Sequence, residues 1–343
     1  MRTVKTVFIL GIIIFFSLLF VLYLKEEEIT SRDFSIKNIL TTNEDSNLSE
    51  SYSDLFKLMG KDEKDLLDEL GLPERKDPTP YGYEWWIYPG EDAYIQVGVK
   101  DAQVVTIFGL GDQVQTAPFT LGTSYDSLKE VYAFNNRVTY EKGLQSYTFK
   151  LKDEEVRTNP LLHLEKNYFA VLHFDQFTNE LSAVRMLTLD TLTKQQMYDM
   201  EYRGALDKEV ALTDEAWEEV EAAVERQIFD ITNIYRKRHD LHPYTYNEDV
   251  AQVAYEHSRD MEVNNYFSHD NLRGESVGDR LRLANISFLQ AAENIAYNYS
   301  DALTVSEGWL NSEGHRKALL DKNLREIGVG VYKLYYTQNF ILK

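Results

Sequence analysis

Three short segments of this chain carry side chains able to do chemistry: Asn265-Tyr-Phe-Ser-His269, Ala292-Glu293-Asn-Ile-Ala296 and Trp309-Leu-Asn-Ser-Glu-Gly-His315-Arg316. Near neutral pH an imidazole acts as base, acid or metal ligand, and a carboxylate orients it or shares a cation with it. His269, Glu293 and His315 are therefore the candidate site. Whether they converge depends on the elements that carry them.

Those elements are readable around the segments. Thr213-Asp-Glu-Ala reads as a helix start, and Trp217, Val220, Val224, Ile228, Ile231 and Tyr235 follow at helical spacing. Acidic residues early and Arg236-Lys-Arg238 late suit the helix dipole. A second helix starts at Asn247, with Val250, Val253, Ala254, His257 and Met261 on one face. His257 shares that face with core residues and reads as a satisfied core histidine. Asn311 or Ser312 caps a helix running to Leu320, which puts His315 in a first turn whose positive end favours the neutral ring. Ile327–Tyr332 and Tyr335–Leu342 are strand-like, so the last domain layers helices on strands.

Upstream, the chain repeats itself. Leu58-Met-Gly60-Lys-Asp-Glu-Lys-Asp-Leu66 matches Thr120-Leu-Gly122-Thr-Ser-Tyr-Asp-Ser-Leu128 when the glycines are aligned, each opening a short capped helix. Hairpins are expected over 94–108 and 169–187. The result is a duplicated helix-plus-sheet unit over 55–195. Tyr81, Tyr83, Trp85 and Trp86 read as sheet core ahead of a carbohydrate or peptide groove. His163 and His173 have no counterparts in the first repeat and are not read as ligands.

Composition sets the class and compartment. Hydrophobic residues make up 43% of 343, enough for sizeable cores and about two domains. Residues 7–24 are apolar, uncharged and long enough to span a bilayer, with Arg2 and Lys5 before them and no small-residue cleavage site after them. They are expected to form an uncleaved anchor, with residues 1–6 cytoplasmic, a polar tether over 25–54 and everything beyond exported. No cysteine is present, which removes disulfides and thiolate chemistry. The net charge of −20 is concentrated upstream: Lys and Arg number 14 against 16 Asp and Glu from Arg226 onward, and 22 against 40 before it. Without a basic face, nucleic acid is a poor partner.

Residues 225–343 resemble the CAP superfamily of cysteine-rich secretory, antigen 5 and pathogenesis-related proteins, in its bacterial branch. The segments carrying the likeness are the three above, with Asn233-Ile-Tyr-Arg236, Ala254–Met261, Ile327-Gly-Val-Gly330 and Tyr336-Thr-Gln338. The resemblance implies an α-β-α sandwich whose cleft holds two histidines and two glutamates able to bind a divalent cation such as zinc. It carries over to His269 and Glu293. His315 belongs to the Gly-His-Arg segment of bacterial members, while Tyr335 stands where eukaryotic members have their second histidine. Ser312 stands where the second glutamate would be, and Glu313 comes one residue later. The repeated unit is similar to the CAP-associated domain found before CAP domains in some sporulating bacteria.

The expected fold class is α+β: an N-terminal transmembrane helix, the duplicated domain, a helical connector over 196–224 and the C-terminal sandwich. The leading reading is a membrane-anchored extracellular module that binds an envelope component, lipid or peptide through a cleft of His269, Glu293, His315, Glu313 and Tyr335. The alternative is a hydrolase in which His269, Glu293 and His315 activate water on peptide or cell-wall bonds, with or without a metal. A serine-hydrolase version needs Ser268 or Ser312 facing a histidine and ranks below both. A structural reading makes His269 and Glu293 a buried stabilising pair.

Overall fold

A computed structural model describes residues 55–206 and 211–343. The expected anchor and tether lie outside the described residues, and among the described residues no helix is long and apolar enough to cross a membrane.

The repeat is visible in the backbone. A 3₁₀ turn and helix α1 (Glu63–Leu70) precede strands β1 (Arg75–Pro78), β2 (Glu84–Pro89), β3 (Tyr94–Lys100) and β4 (Gln103–Leu110). The second half runs α2 (Tyr125–Val131), β5 (Arg137–Lys142), β6 (Gln145–Lys150), α3 (Asp153–Thr158), β7 (Leu161–His163), β8 (Tyr168–Asp175), β9 (Glu180–Thr188) and α4 (Leu189–Gln195). Gly60 N donates to Val104 O and Gly122 N to Leu181 O, both at 2.9 Å, while Val104 N and Leu181 N return to Lys61 O and Thr123 O at the same length. Both glycines have positive φ, which favours glycine there. Asp62 and Ser124 then cap α1 and α2. Both halves also break register at one place, between Gly98 and Val99 in β3 and between His173 and Phe174 in β8.

The two hairpins join through β4 and β9 into an antiparallel sheet of order β1-β2-β3-β4-β9-β8-β7. Strands β5 and β6 leave it and pair with β10 (Asp199–Arg203). Side chains along a strand alternate between faces. Trp86, Tyr88, Ile95 and Ile107 therefore pack with Leu66 of α1 and Leu128 of α2, while Trp85, Ile87, Tyr94 and Phe108 face the C-terminal domain. Both tryptophans are core, in two different cores.

The C-terminal domain is an α-β-α sandwich. Its elements are α5 (Asp214–Arg238), β11 (Thr245–Tyr246), α6 (Glu248–Val263), α7 (Val277–Leu283), β12 (Gln290–Tyr297), α8 (Ala302–Leu310), α9 (Glu313–Leu319), β13 (Glu326–Tyr332) and β14 (Tyr335–Leu342). The sheet order is β11-β13-β14-β12. Helix α6 lies so close to β13 that a Cβ on Gly330 would sit 1.9 Å from Tyr255 N. Helices α5 and α8 cover the other face, where Ile228, Ile231, Tyr235, Val305 and Trp309 share a core with Val329 and Phe340.

Thr213 caps α5 and Asn247 caps α6, as the sequence suggested. The stretch expected as a helical connector is different: β10 adds to β6, and α5 runs unbroken through residue 225 into the sandwich. Helix α5 also faces the first repeat, through Arg75–Asp230 at 2.5 Å and Gln227–Asp77 at 2.9 Å. Behind it, the fully buried Arg185 of β9 meets Asp301, the N-cap of α8, at 2.6 Å. The two domains are therefore joined by a shared apolar core and by buried charge.

Candidate functional site

His269 and Glu293 converge. Glu293 sits on β12 opposite Asn339 of β14, and its carboxylate is 2% exposed. His269 lies on the loop after α6, with Nδ1 2.9 Å from Glu293 Oε1. A carboxylate accepts, so Nδ1–H donates and Nε2 is left as the outward-facing ring atom. The side chain of His269 is 57% exposed. The Glu293 hydrogen bond raises the His269 pKa above the ordinary histidine value, with burial opposing it.

The loop is held from below by two residues. Arg280 of α7 donates from Nη1 to the carbonyls of His269 at 2.8 Å and Glu275 at 2.9 Å, and from Nη2 to Glu293 Oε2. His257 of α6 donates from Nε2 to Ser268 O at 3.0 Å and stands 4.0 Å from Glu293 Oε1. Burial lowers its pKa, so the ring is neutral. His257 is thus a core histidine that also positions the site loop, a role the sequence reading set aside. Arg280 was missed, although its sequence position carries a signal. With Val277 and Leu281 it occupies the i, i+3, i+4 stripe of a helix, and a cation on a buried stripe requires an anion.

His315 is a near neighbour. Its pKa is lowered by burial and by the charge of His269. Its Nδ1 lies 2.9 Å from Ser312 Oγ, and its carbonyl accepts from Asn294 at 3.1 Å. The expected caps differ from what is found: Ser312 holds the N-cap position of α9 without a side-chain cap bond, its hydroxyl turned to His315 instead. Asn311 reaches into the other domain, donating to Phe174 O at 2.9 Å and accepting from Gln176 N at 2.8 Å. The next residue after His315, Arg316, does the same through Asp175 at 2.8 Å. The N-terminal domain therefore fixes the helix that carries His315. His315 and Ser312 lie on the wall of a cleft of about 1610 Å³ between the domains.

Two other candidates stand apart from this constellation. Glu313 is solvent-exposed and pairs with Lys317 at 2.9 Å. Tyr335 is buried beside Met261 and Ile295, with its ring centroid 4.5 Å from that of Tyr297. A divalent cation such as zinc does not fit His269, Glu293 and His315 in this arrangement. Arg280 and His269 already bind the two Glu293 oxygens, and among the described residues no three His, Cys, Asp or Glu side chains are grouped to hold a metal.

Comparison with known proteins places residues 59–198 in the CAP-associated N-terminal family and 229–342 in the cysteine-rich secretory protein family. The uncharacterized membrane protein YlbC of Bacillus subtilis (strain 168) is 43% identical over 290 residues, covering 84% of each chain. The chain belongs to the CAP superfamily. The CAP domain alone accounts for a second likeness, to the uncharacterized protein YkwD of the same organism, 36% identical over 124 residues covering 36% of this chain and 48% of that one. The crystal structure of an extracellular protein containing a SCP domain from Bacillus anthracis str. Ames superposes with TM-score 0.82 at 39% identity, over 88% of this chain and all of that one. A cysteine-rich secretory protein from Staphylococcus aureus Mu50 shares the fold at TM-score 0.76 and 24% identity, over 86% and 94% of the two chains.

Proposed function

We propose that this CAP protein is a membrane-anchored extracellular binding module, and that His269, Glu293 and His315 form the face that receives an envelope component, lipid or peptide. The observation that carries the reading is the chain of bonds from Arg280 through Glu293 to His269. It saturates the carboxylate and presents His269 Nε2 as a fixed hydrogen-bonding atom at an exposed position. The names of the relatives, a membrane protein and an extracellular protein, support the compartment.

The test is thermal unfolding of the full-length chain in detergent with lipid, peptide and cell-wall fragments. A binder is stabilised by one of them, and the shift disappears in His269→Ala. Zn²⁺, Mg²⁺ and Ca²⁺ are expected to leave the midpoint unchanged; stabilisation by one of them would return a metal to the site.

A hydrolase reading uses the same dyad, with Glu293 orienting His269 so that Nε2 takes a proton from water. It requires turnover of a peptide or cell-wall substrate that Glu293→Gln abolishes. The orientation proposed for the anchor puts residues 1–6 in the cytoplasm. Because the chain lacks cysteine, a Ser46→Cys variant is labelled from outside intact cells only if that orientation holds.

A further inference from the structure

The cleft between the two domains has an unusual floor. Three side chains that border it each keep one buried polar atom without a hydrogen-bond partner: His173 Nε2, Gln195 Oε1 and Glu307 Oε2. The residues are 2%, 4% and 5% exposed. They come from both domains, His173 from β8, Gln195 from the end of α4 and Glu307 from α8. A buried polar atom without a protein partner is completed by water or by a ligand, so three of them around one cleft mark a place suited to complementary polar groups.

Neighbouring bonds fix two of these atoms. Gln195 Nε2 donates to Tyr83 Oη at 2.8 Å, which sets the orientation of its free carbonyl. Glu307 Oε1 accepts from Tyr235 at 2.7 Å and Ser182 at 2.8 Å, which leaves Oε2 as the open oxygen. His173 is neutral, its pKa pushed down to about 3 by burial and Arg185.

Above this floor the walls are aromatic, with Tyr81, Tyr299 and the half-buried Trp217 among the lining residues. Nearby cations already have carboxylate partners: Lys100 and Lys194 share Asp190, at 3.2 and 3.4 Å, Lys152 pairs with Glu155 at 3.9 Å, and Glu154 and Asp199 also line the cleft.

We propose that the interdomain cleft is a second binding site, for an uncharged glycan bearing acetamido groups. Aromatic walls stack against the apolar face of a sugar ring, and the floor offers its hydroxyl and amide groups an imidazole, an amide carbonyl and a carboxyl as partners. A lipid chain would leave the three floor atoms unpaired, and an anionic ligand would find the lysines engaged. The volume, about 1610 Å³, exceeds the range of roughly 300–1,000 Å³ usual for small-molecule pockets and suits several linked rings. This goes beyond the reading above: the cleft shares the His315 wall with that face but needs neither His269 nor Glu293. It also gives the CAP-associated domain a direct part in recognition.

The experiment is calorimetric titration of the full-length chain, in a sugar-free detergent, with a tetramer of N-acetylglucosamine and with cellotetraose as the acetamido-free control. Saturable binding of the first and at least about tenfold weaker binding of the second are expected. Gln195→Leu and His173→Phe are expected to weaken binding about tenfold or more. Trp217→Ala, on the wall, is expected to do so with an unchanged unfolding midpoint, which separates lost contact from lost fold. His269→Ala is expected to bind like the parent. Failure of the parent to bind the tetramer overturns the proposal. Parent-like affinity in all three cleft variants, equal binding of the two sugars, or loss of binding in His269→Ala alone would do so too.

Discussion

Glu293 carries two bonds at once, and Glu293→Gln separates their consequences. Arg280 is 9% exposed and loses its countercharge, so unfolding in denaturant is expected to show a loss of about 3–5 kcal/mol. His269 loses the charged acceptor that raised its pKa, and its NMR titration midpoint is expected to fall back toward 6.5 or below. In the parent, the raised value means that the His269–Glu293 bond stabilises the fold fully below pH 6.5, and that this support fades as pH rises through the folded value. An unchanged His269 titration in the variant would mean that the bond does not persist in solution. Glu307 behaves in the opposite sense. Burial pushes its pKa up to about 7 from 4.5, so the unfolded chain releases this proton first and stability falls between those values as pH rises. Glu307→Gln is expected to remove a difference of order 3 kcal/mol between about pH 5 and pH 8, read by urea unfolding at the two ends. A parent whose stability is flat over that range would rule out the buried acid.

The helix that presents His315 is short and depends on its neighbours more than on its own cap. Ser312 does not cap it, while Arg316 and Asn311 tie it to the turn between β8 and β9. Asp175→Asn is therefore expected to speed amide exchange in residues 313–319 by about tenfold, while α6 on the far face keeps its protection. Equal exchange in parent and variant would show that α9 stands without that anchor. This dependence marks the limit of what the sequence shows. Helices α5 and α6 were legible because each has a capping residue and an apolar stripe at helical spacing. The repeat was legible because Gly60 and Gly122 are required by the same turn. The site loop was only partly legible. His269 and Glu293 announce themselves by residue type, but Arg280 and His257 look like ordinary members of helices until the fold brings them beneath the loop.

At the scale of the whole molecule, the least legible feature is that the domains share a core. Trp85 and Trp86 are adjacent in sequence and equally buried, and only the pleat sends one into the first domain and the other onto α5 and α8. Arg185, Asp301 and Glu307 are of residue types mostly found at surfaces, yet all three are buried where the domains meet. Buried charge paired across such an interface is costly to separate, because each partner would be left uncompensated or would have to rehydrate. The described chain is therefore expected to unfold as one unit despite containing two families. Calorimetry should show a single transition whose van't Hoff and calorimetric enthalpies agree. Trp85→Ala should lower that one transition, at a cost of about 3–5 kcal/mol for the lost aromatic burial. Two resolved transitions, with only one of them moved by Trp85→Ala, would mean that the domains fold independently. In that case the CAP-associated domain would act as a tethered neighbour, without a shared core to hold His315 in place.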